Sequence, residues 1–144
     1  MKYHTLLFVV ILSICDNAYG KIFDKCEFVR KLQTLGIPRD QLGTWTCIAK
    51  YESNFDTQAV NKQTWDYGIL QISSLYWCSK SDSPGKGCHA TCKQFLNDNI
   101  DDDVACARHV YDETKKMSGD GFSAWTTYNQ HCRGDTSQWA SNCL

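Results

Sequence analysis

The sequence predicts an α+β fold in which helices come first, a small β region follows, and helices return. Apolar residues recur at helical spacing in the first third of the chain and again in its last third. Between them, aromatic and branched residues dominate 64–73, which is typical of β structure. With 144 residues, 42% hydrophobic and 22% charged, the chain is long enough for one globular domain.

The first helix has clear boundaries. Asp24 is the expected N-cap, and Glu27 follows three residues later, as in a capping box. Gly36 predicts the C-terminal stop, with Pro38 just beyond it. The apolar face of this helix is formed by Phe28, Val29, Leu32 and Leu35.

A second helix is predicted over 39–52, with Leu42, Trp45, Ile48 and Ala49 on one face. We expect Trp45 to be a core residue. Glu52 continues the apolar face, which leaves two interpretations. It is either a carboxylate at a helix end that turns to solvent, or a carboxyl held against apolar walls. The second environment raises the pKa of a carboxyl, as a general acid requires.

Local composition predicts the secondary structure of the middle and last sections of the chain. Residues 61–63 predict a turn, 64–73 predict β structure with a bend at Gly68, and 79–87 predict a polar loop. Further helices are expected at 88–96, at 102–117 and around Trp125.

The first 20 residues predict a secretory signal peptide. Lys2 gives a positive start, 6–14 is a short apolar run, and Ala18 and Gly20 are small residues before the expected cleavage point. A membrane anchor is the alternative, but the run is too short to span a bilayer. Cleavage after Gly20 removes Cys15, so nine cysteines become eight, an even number that predicts four disulfides in an exported domain over 21–144.

Charge and motifs limit the function classes. The net charge of −1 excludes a strongly basic nucleic-acid binder. Cys88, His89 and Cys92 resemble a zinc-ligand spacing, but eight cysteines in an exported chain favour disulfides. The sequence has no G-x-S-x-G motif, which argues against a serine hydrolase of that type.

Several motifs in order along 21–144 resemble the chicken-type (c-type) lysozymes, and the likeness looks strongest to insect members. They occupy 45–47, 49–55, 66–72, 76–78 and 124–125, and the eight cysteines fall in family order. The resemblance implies a helical lobe and a small antiparallel β lobe flanking a cleft. It also implies the disulfides Cys26–Cys143, Cys47–Cys132, Cys78–Cys92 and Cys88–Cys106; eight cysteines alone allow 105 connectivities.

The resemblance implies a retaining glycosidase that cleaves β-1,4-linked amino-sugar polymers, chiefly bacterial cell-wall glycan and as a side activity chitin oligomers. Glu52 matches the general acid and Asp66 the nucleophile or charge stabiliser; lysozyme is itself the type case of such a carboxylate pair. Trp125 matches the wall beside the acid. The expected substrate-binding residues are Gln71, Ser73, Tyr76, Trp77 and Trp125.

Three departures from the family pattern affect this expectation. The turn before Asp66 is shorter than usual, Trp65 precedes it directly, and Ser73 stands where the family has Asn. A serine offers a smaller contact than an amide, so the support of Asp66 is expected to differ. A non-catalytic or weakly catalytic glycan-binding protein is therefore an alternative.

The segment 111–121 is also longer than is usual in the family, with Ser118 and Asp120 as candidate sugar contacts.

A further segment resembles the calcium loop of some c-type lysozymes and of α-lactalbumins, which are regulatory proteins and a third functional alternative. The resemblance implies side-chain oxygens from Asn97, Asp102 and Asp103 and backbone carbonyls from Gln94 and Asn99. The alternative is an acidic first helical turn favoured by the helix dipole. No cofactor is expected to be required for catalysis. We expect a secreted monomer that binds neither nucleic acid nor membranes.

Overall fold

The structure, a computed structural model, describes residues 20–144, so the predicted leader lies outside the described residues except for Gly20. Three α-helices form the larger lobe: α1 (Lys25–Thr34), α2 (Leu42–Ser53) and α3 (Asp101–Ser118). Within 20–144, none of the helices has both the length and the apolar character that crossing a membrane requires. Five short strands lie between α2 and α3: β1 (Val60–Asn61), β2 (Asp66–Tyr67), β3 (Ile72–Ser73), β4 (Cys78–Ser79) and β5 (Ala90–Thr91).

Helix α1 begins at the predicted cap. The Asp24 carboxylate accepts from the backbone N–H groups of Cys26, at 2.9 Å, and Glu27, at 3.2 Å. The Glu27 carboxylate binds the Lys21 ammonium instead of the cap backbone, so the predicted capping box is wrong in its reciprocal half. The helix ends as predicted, with Gly36 in the left-handed region at φ +77°.

Helix α2 lies in the centre of the core. It begins at Leu42, three residues later than predicted, because Arg39–Gln41 forms a 3₁₀ turn. Every residue from Leu42 to Ala49 is buried, and Trp45 is 1% exposed, in agreement with its predicted core role. The helix packs against α1 and against the C-terminal turns Tyr128–Cys132 and Ser137–Trp139.

The β lobe is smaller than its sequence pattern predicts. Strands β1, β2 and β3 form an antiparallel sheet in that order, with Asp66 paired to both Asn61 and Ser73. The predicted β run over 64–73 is interrupted by a turn at 68–71, where Gly68 has φ +79°. Strands β4 and β5 pair in parallel, so the helix predicted over 88–96 is reduced to a 3₁₀ turn, Cys92–Leu96.

Four disulfides join these parts in the pairs that the family resemblance implies. Cys26–Cys143 ties α1 to the C-terminal end, and Cys47–Cys132 ties α2 to the turn Tyr128–Cys132. Cys88–Cys106 fastens the β lobe to α3, whereas Cys78–Cys92 lies inside the β lobe and joins β4 to the residue after β5.

Residues 21–23 are held against the segment that follows α2. The Lys21 backbone N–H donates to the Thr57 hydroxyl at 2.8 Å, and the Thr57 N–H donates back to the Lys21 carbonyl at 3.0 Å. Thr57 is fully buried, and the Lys21 ammonium lies 4.1 Å from the centre of the Phe23 ring. Residues 21–23 are therefore a fixed part of the fold.

Candidate active site

A cleft of about 660 Å³ runs between the helical lobe and the β lobe. The α2 side contributes Glu52, and the β sheet contributes Asp66 from the opposite wall. The structure thus places both predicted carboxylates in one cleft. The other predicted residues that line it are Gln71, Ser73, Tyr76, Trp77 and Trp125.

Glu52 lies in the last turn of α2 and is half-buried, so its side chain does not turn out to solvent. The Thr127 hydroxyl donates a hydrogen bond to Glu52 Oε1 at 2.6 Å. Burial raises the pKa of Glu52, the Thr127 hydrogen bond opposes part of that rise, and the negative charge of Asp66 adds to it. The net rise keeps the carboxyl protonated to a higher pH than an exposed glutamate.

Asp66 is held by the Thr64 hydroxyl, and not by Ser73 at the position where the family has Asn. Thr64 Oγ1 donates to Asp66 Oδ2 at 2.6 Å, whereas the Ser73 hydroxyl accepts from the backbone N–H of Leu75 at 3.2 Å. Ser73 is nevertheless paired to Asp66 across the sheet. The shortened turn therefore supplies its own support for Asp66, through the residue two positions earlier.

Trp125 lines the cleft and joins the two lobes. It is 5% exposed, and its indole N–H donates to the Leu70 carbonyl of the β lobe at 2.9 Å. Its ring packs edge-on against Trp45 of α2, with centroids 5.0 Å apart. This contact places an apolar ring in the same cleft as Glu52.

The remaining cleft residues differ in how free they are to contact a ligand. Tyr76 is 65% exposed and Trp77 is half-buried, so both offer ring surface. The Gln71 amide donates to the carbonyls of Ala59, at 3.1 Å, and Gly68, at 2.9 Å. Its amide nitrogen therefore braces the turn between β2 and β3, and only its oxygen remains for a sugar.

Ser118 and Asp120 are not among the residues that line the cleft. The Ser118 hydroxyl donates to the Thr114 carbonyl at 3.0 Å, and Asp120 accepts from the Phe122 N–H at 3.1 Å. Both therefore serve the end of α3 and the 3₁₀ turn that follows it, Gly121–Ala124.

Neither of the two threonines that bind the carboxylates is predicted from the sequence. Thr64 stands two residues before Asp66, and Thr127 stands two residues after Trp125. A hydroxyl near a motif is a visible signal, but which way it points depends on the turn that carries it.

The predicted calcium segment brings carboxylates to the start of α3. Asp103 is fully buried, and neither of its oxygens has a hydrogen-bond partner within 20–144. Burial raises the pKa of Asp103 to about 9, and the negative charge of Asp102 adds to the rise. The Asn97 amide donates to the Gln94 carbonyl at 2.9 Å, and Gln94 Nε2 donates to Asp102 at 3.2 Å.

Over residues 20–144, the start of α3 included, no group of three or more His, Cys, Asp or Glu side chains is arranged to hold a metal ion. Cys88 and Cys92 are each bound in a disulfide to another cysteine, which removes the zinc alternative for this pair.

This chain resembles known proteins in both sequence and fold. The family described as C-type lysozyme/alpha-lactalbumin matches residues 21–143.

The chain belongs to this family.

Among curated C-type lysozymes, Lysozyme C of Macaca mulatta is 40% identical over an alignment that covers 99% of both chains. The milk isozyme of Lysozyme C from Canis lupus familiaris is 44% identical and covers 85% of this chain and 98% of its own. A crystal structure of a lysozyme from Litopenaeus vannamei matches with a TM-score of 0.77 and 35% identity, covering 86% of this chain and 98% of that one.

These matches support a lysozyme-type glycosidase with the lysozyme fold. The predicted α+β class, with helices, a small antiparallel sheet and four disulfides, is confirmed. The expected closeness to insect members is not confirmed, and mammalian lysozymes match this chain over its whole length.

Proposed function

We propose that this protein is a secreted lysozyme that cleaves the β-1,4 bond between N-acetylmuramic acid and N-acetylglucosamine in bacterial peptidoglycan. The observation that carries the proposal is the pair of carboxylates in one cleft. Glu52 is half-buried with a raised pKa, and Asp66 lies on the opposite wall. Two carboxyl groups whose environments differ in this way are what a retaining glycosidase needs.

In this mechanism Glu52 donates its proton to the leaving glycosidic oxygen as the C–O bond breaks. Asp66 attacks the sugar carbon from the opposite side, or stabilises its positive charge. Water then attacks the same carbon and gives its proton to Glu52, and any bond between the sugar and Asp66 breaks, so both carboxyl groups return to their starting states. Thr64 orients Asp66 for this role through its 2.6 Å hydrogen bond.

Substrate binding relies on the exposed rings of the cleft. Tyr76 and Trp77 offer faces for the apolar side of sugar rings, while Ser73 and the Gln71 oxygen are available to hydroxyl and amide groups. Chitin oligomers carry the same N-acetyl groups and are the expected minor substrates.

The cellular setting is part of the proposal. Residues 1–20 act as the signal peptide, and the enzyme works outside the cell as a monomer, in defence against bacteria or in their digestion. Four disulfides support an oxidising environment. The net charge of −1 gives little attraction to anionic bacterial walls.

The test is the clearing of a bacterial cell-wall suspension between about pH 4 and pH 8 by the wild type and by Glu52→Gln and Asp66→Asn. Loss of the general acid should reduce the rate by about 10²-fold or more. A wild type no faster than Glu52→Gln would contradict the proposal. Retained binding to the insoluble wall in that case would favour the non-catalytic glycan-binding alternative.

We also propose that the loop before α3 can bind a structural calcium ion. The support is the buried Asp103 carboxylate, whose two oxygens lack partners, next to Asp102. Calcium prefers several such hard oxygens, and Asn97, Gln94 and Asn99 would supply the others. The Asn97 amide must then release the Gln94 carbonyl that it now contacts.

Thermal melting with excess calcium and with a chelator tests this site. Calcium should raise the melting temperature of the wild type, and the rise should disappear in Asp103→Asn, which removes one carboxylate. Identical melting curves with calcium and with chelator would remove the metal proposal and leave Asp103 as a buried neutral acid.

A further inference from the structure

We propose that Thr127 fixes the upper end of the pH range in which this enzyme works, by donating its hydroxyl hydrogen bond to the general acid Glu52. The inference rests on the proposed function, because it assigns a role to a neighbour of that acid. Thr127 acts as a positioning residue.

The geometry of this hydrogen bond favours one protonation state. The 2.6 Å distance between Thr127 Oγ1 and Glu52 Oε1 lies in the short range typical of a hydroxyl bound to a carboxylate anion. A hydroxyl has one hydrogen to donate, and a carboxylate accepts it more strongly than a neutral carboxyl does. Thr127 therefore stabilises the ionised form of Glu52.

Both partners are held rigidly. Glu52 lies in the last turn of α2, and Thr127 is the residue immediately before the turn Tyr128–Cys132. The disulfide Cys47–Cys132 joins these two elements covalently. Trp125, two residues earlier, is fixed by its hydrogen bond to Leu70. The hydroxyl is thus preorganised for Glu52 and needs no rearrangement to reach it.

The other groups of the cleft do not supply the same effect. The titratable side chains that line it with Glu52 are Asp66 of β2 and Tyr76, which follows β3. The cleft-lining residues that the structure describes include no Lys, Arg or His. Burial and Asp66 both raise the pKa of Glu52, and the Thr127 hydrogen bond is the one cause that lowers it.

The functional consequence concerns the alkaline side of the pH profile. A general acid works while it is protonated, so activity is lost as the pH rises through its pKa. By stabilising the ionised form, Thr127 brings this loss to a lower pH than burial alone would set. A cleft with threonine at position 127 therefore loses activity at a lower pH than a cleft with an apolar residue at that position.

The experiment compares Thr127→Val, which keeps the shape and removes the hydroxyl, with Thr127→Ser, which keeps the hydroxyl. The ionisation of Glu52 is followed by carboxyl ¹³C NMR, and kcat/KM on cell walls is measured from about pH 4 to 9. Thr34→Val, an exposed hydroxyl deletion on α1, is the matched control.

In Thr127→Val, Glu52 should titrate at a higher pH than in the wild type. The ratio of kcat/KM at pH 8 to that at pH 5 should rise by about three- to tenfold. Thr127→Ser and Thr34→Val should match the wild type. Thr127→Ala carries the same expectation if valine disturbs folding, as judged by near-UV circular dichroism.

An unchanged Glu52 titration in both Thr127→Val and Thr127→Ala would overturn the inference, whatever the activity. An inactive wild type whose Glu52 titration does shift in Thr127→Val would contradict the proposed function and leave the hydrogen bond established. If the titration shifts while the pH profile of an active enzyme does not, Thr127 does not set the working range and the inference fails.

Discussion

Each of the two proposed catalytic carboxylates, Glu52 and Asp66, is bound by a threonine hydroxyl at 2.6 Å. The two hydrogen bonds have different consequences. Thr127 binds the half-buried Glu52, whose protonation decides activity in the proposed mechanism, whereas Thr64 is exposed and lies in the short turn just before β2, the strand that carries Asp66. The role of Thr64 is therefore to hold the direction of the Asp66 carboxylate.

Replacing Thr64 with valine should lower kcat by about ten- to hundredfold and leave KM almost unchanged, because a misdirected nucleophile affects the transition state more than substrate binding. Steady-state kinetics on a soluble amino-sugar oligomer measures both constants. Thr64→Ser should retain most of kcat. An equal loss in the valine and serine variants would contradict the positioning role.

Sequence reasoning could predict the identity of the two carboxylates but not their partners. The helical spacing of α2 places Glu52 beside the apolar face but leaves its role open, and the family resemblance then singles out both Glu52 and Asp66. The threonine hydrogen bonds depend on the backbone of a short turn and on a contact between residues 75 positions apart, which no local pattern contains.

The turn between β2 and β3 is the element that connects the sheet to the helical lobe. Gly68 is in the left-handed region at φ +79°, and a Cβ on it would lie 2.4 Å from the Phe95 carbonyl oxygen and 2.5 Å from Asp103 Oδ1. These contacts explain why the predicted β run is broken here. A glycine is required by both the backbone conformation and the close approach.

Gly68→Ala should therefore destabilise the protein by about 2–4 kcal/mol, since it combines an unfavourable φ with overpacking. Denaturant unfolding followed by fluorescence measures the free energy of unfolding. Gly119→Ala is the matched control, because Gly119 also has a positive φ, of +83°, but nothing lies within 4 Å of its added Cβ. Equal losses in the two variants would show that packing against Phe95 and Asp103 adds nothing.

The elements that were mispredicted share one physical cause. The helix expected over 88–96 gives way at residues 90–91 to pairing with β4, and the β run over 64–73 gives way to a turn. In both places a contact distant in sequence overrides local propensity. Helices α1 and α2 were predicted well because their boundaries and apolar faces are local features.

At the scale of the molecule, two of the four disulfides have contrasting roles. Cys26–Cys143 closes a loop of 117 residues within the helical lobe, whereas Cys88–Cys106 has a separation of 18 and joins the β lobe to α3. The first constrains the unfolded chain most strongly, and the second fastens the β lobe to the helical lobe through α3.

Replacing both cysteines of each pair by alanine should separate these effects. Loss of Cys26–Cys143 should reduce the free energy of unfolding by about 5 kcal/mol and loss of Cys88–Cys106 by about 3 kcal/mol. At a temperature where both variants remain folded, the second should lose more activity, because it loosens the attachment of the β lobe, which carries Asp66, to the helical lobe. Greater loss of activity in the first variant would contradict this division.

The fixed position of Lys21 bears on how the protein has to be produced. Cleavage after Gly20 would convert the Lys21 amide into an α-ammonium group 2.8 Å from the buried Thr57 hydroxyl. A residue with a Cβ at position 20, such as an initiator methionine, would place that atom 1.8 Å from the Gln58 side chain and displace it. Material for the stability measurements should therefore start at Lys21, released by export or by a protease, so that an added residue does not alter the melting temperature.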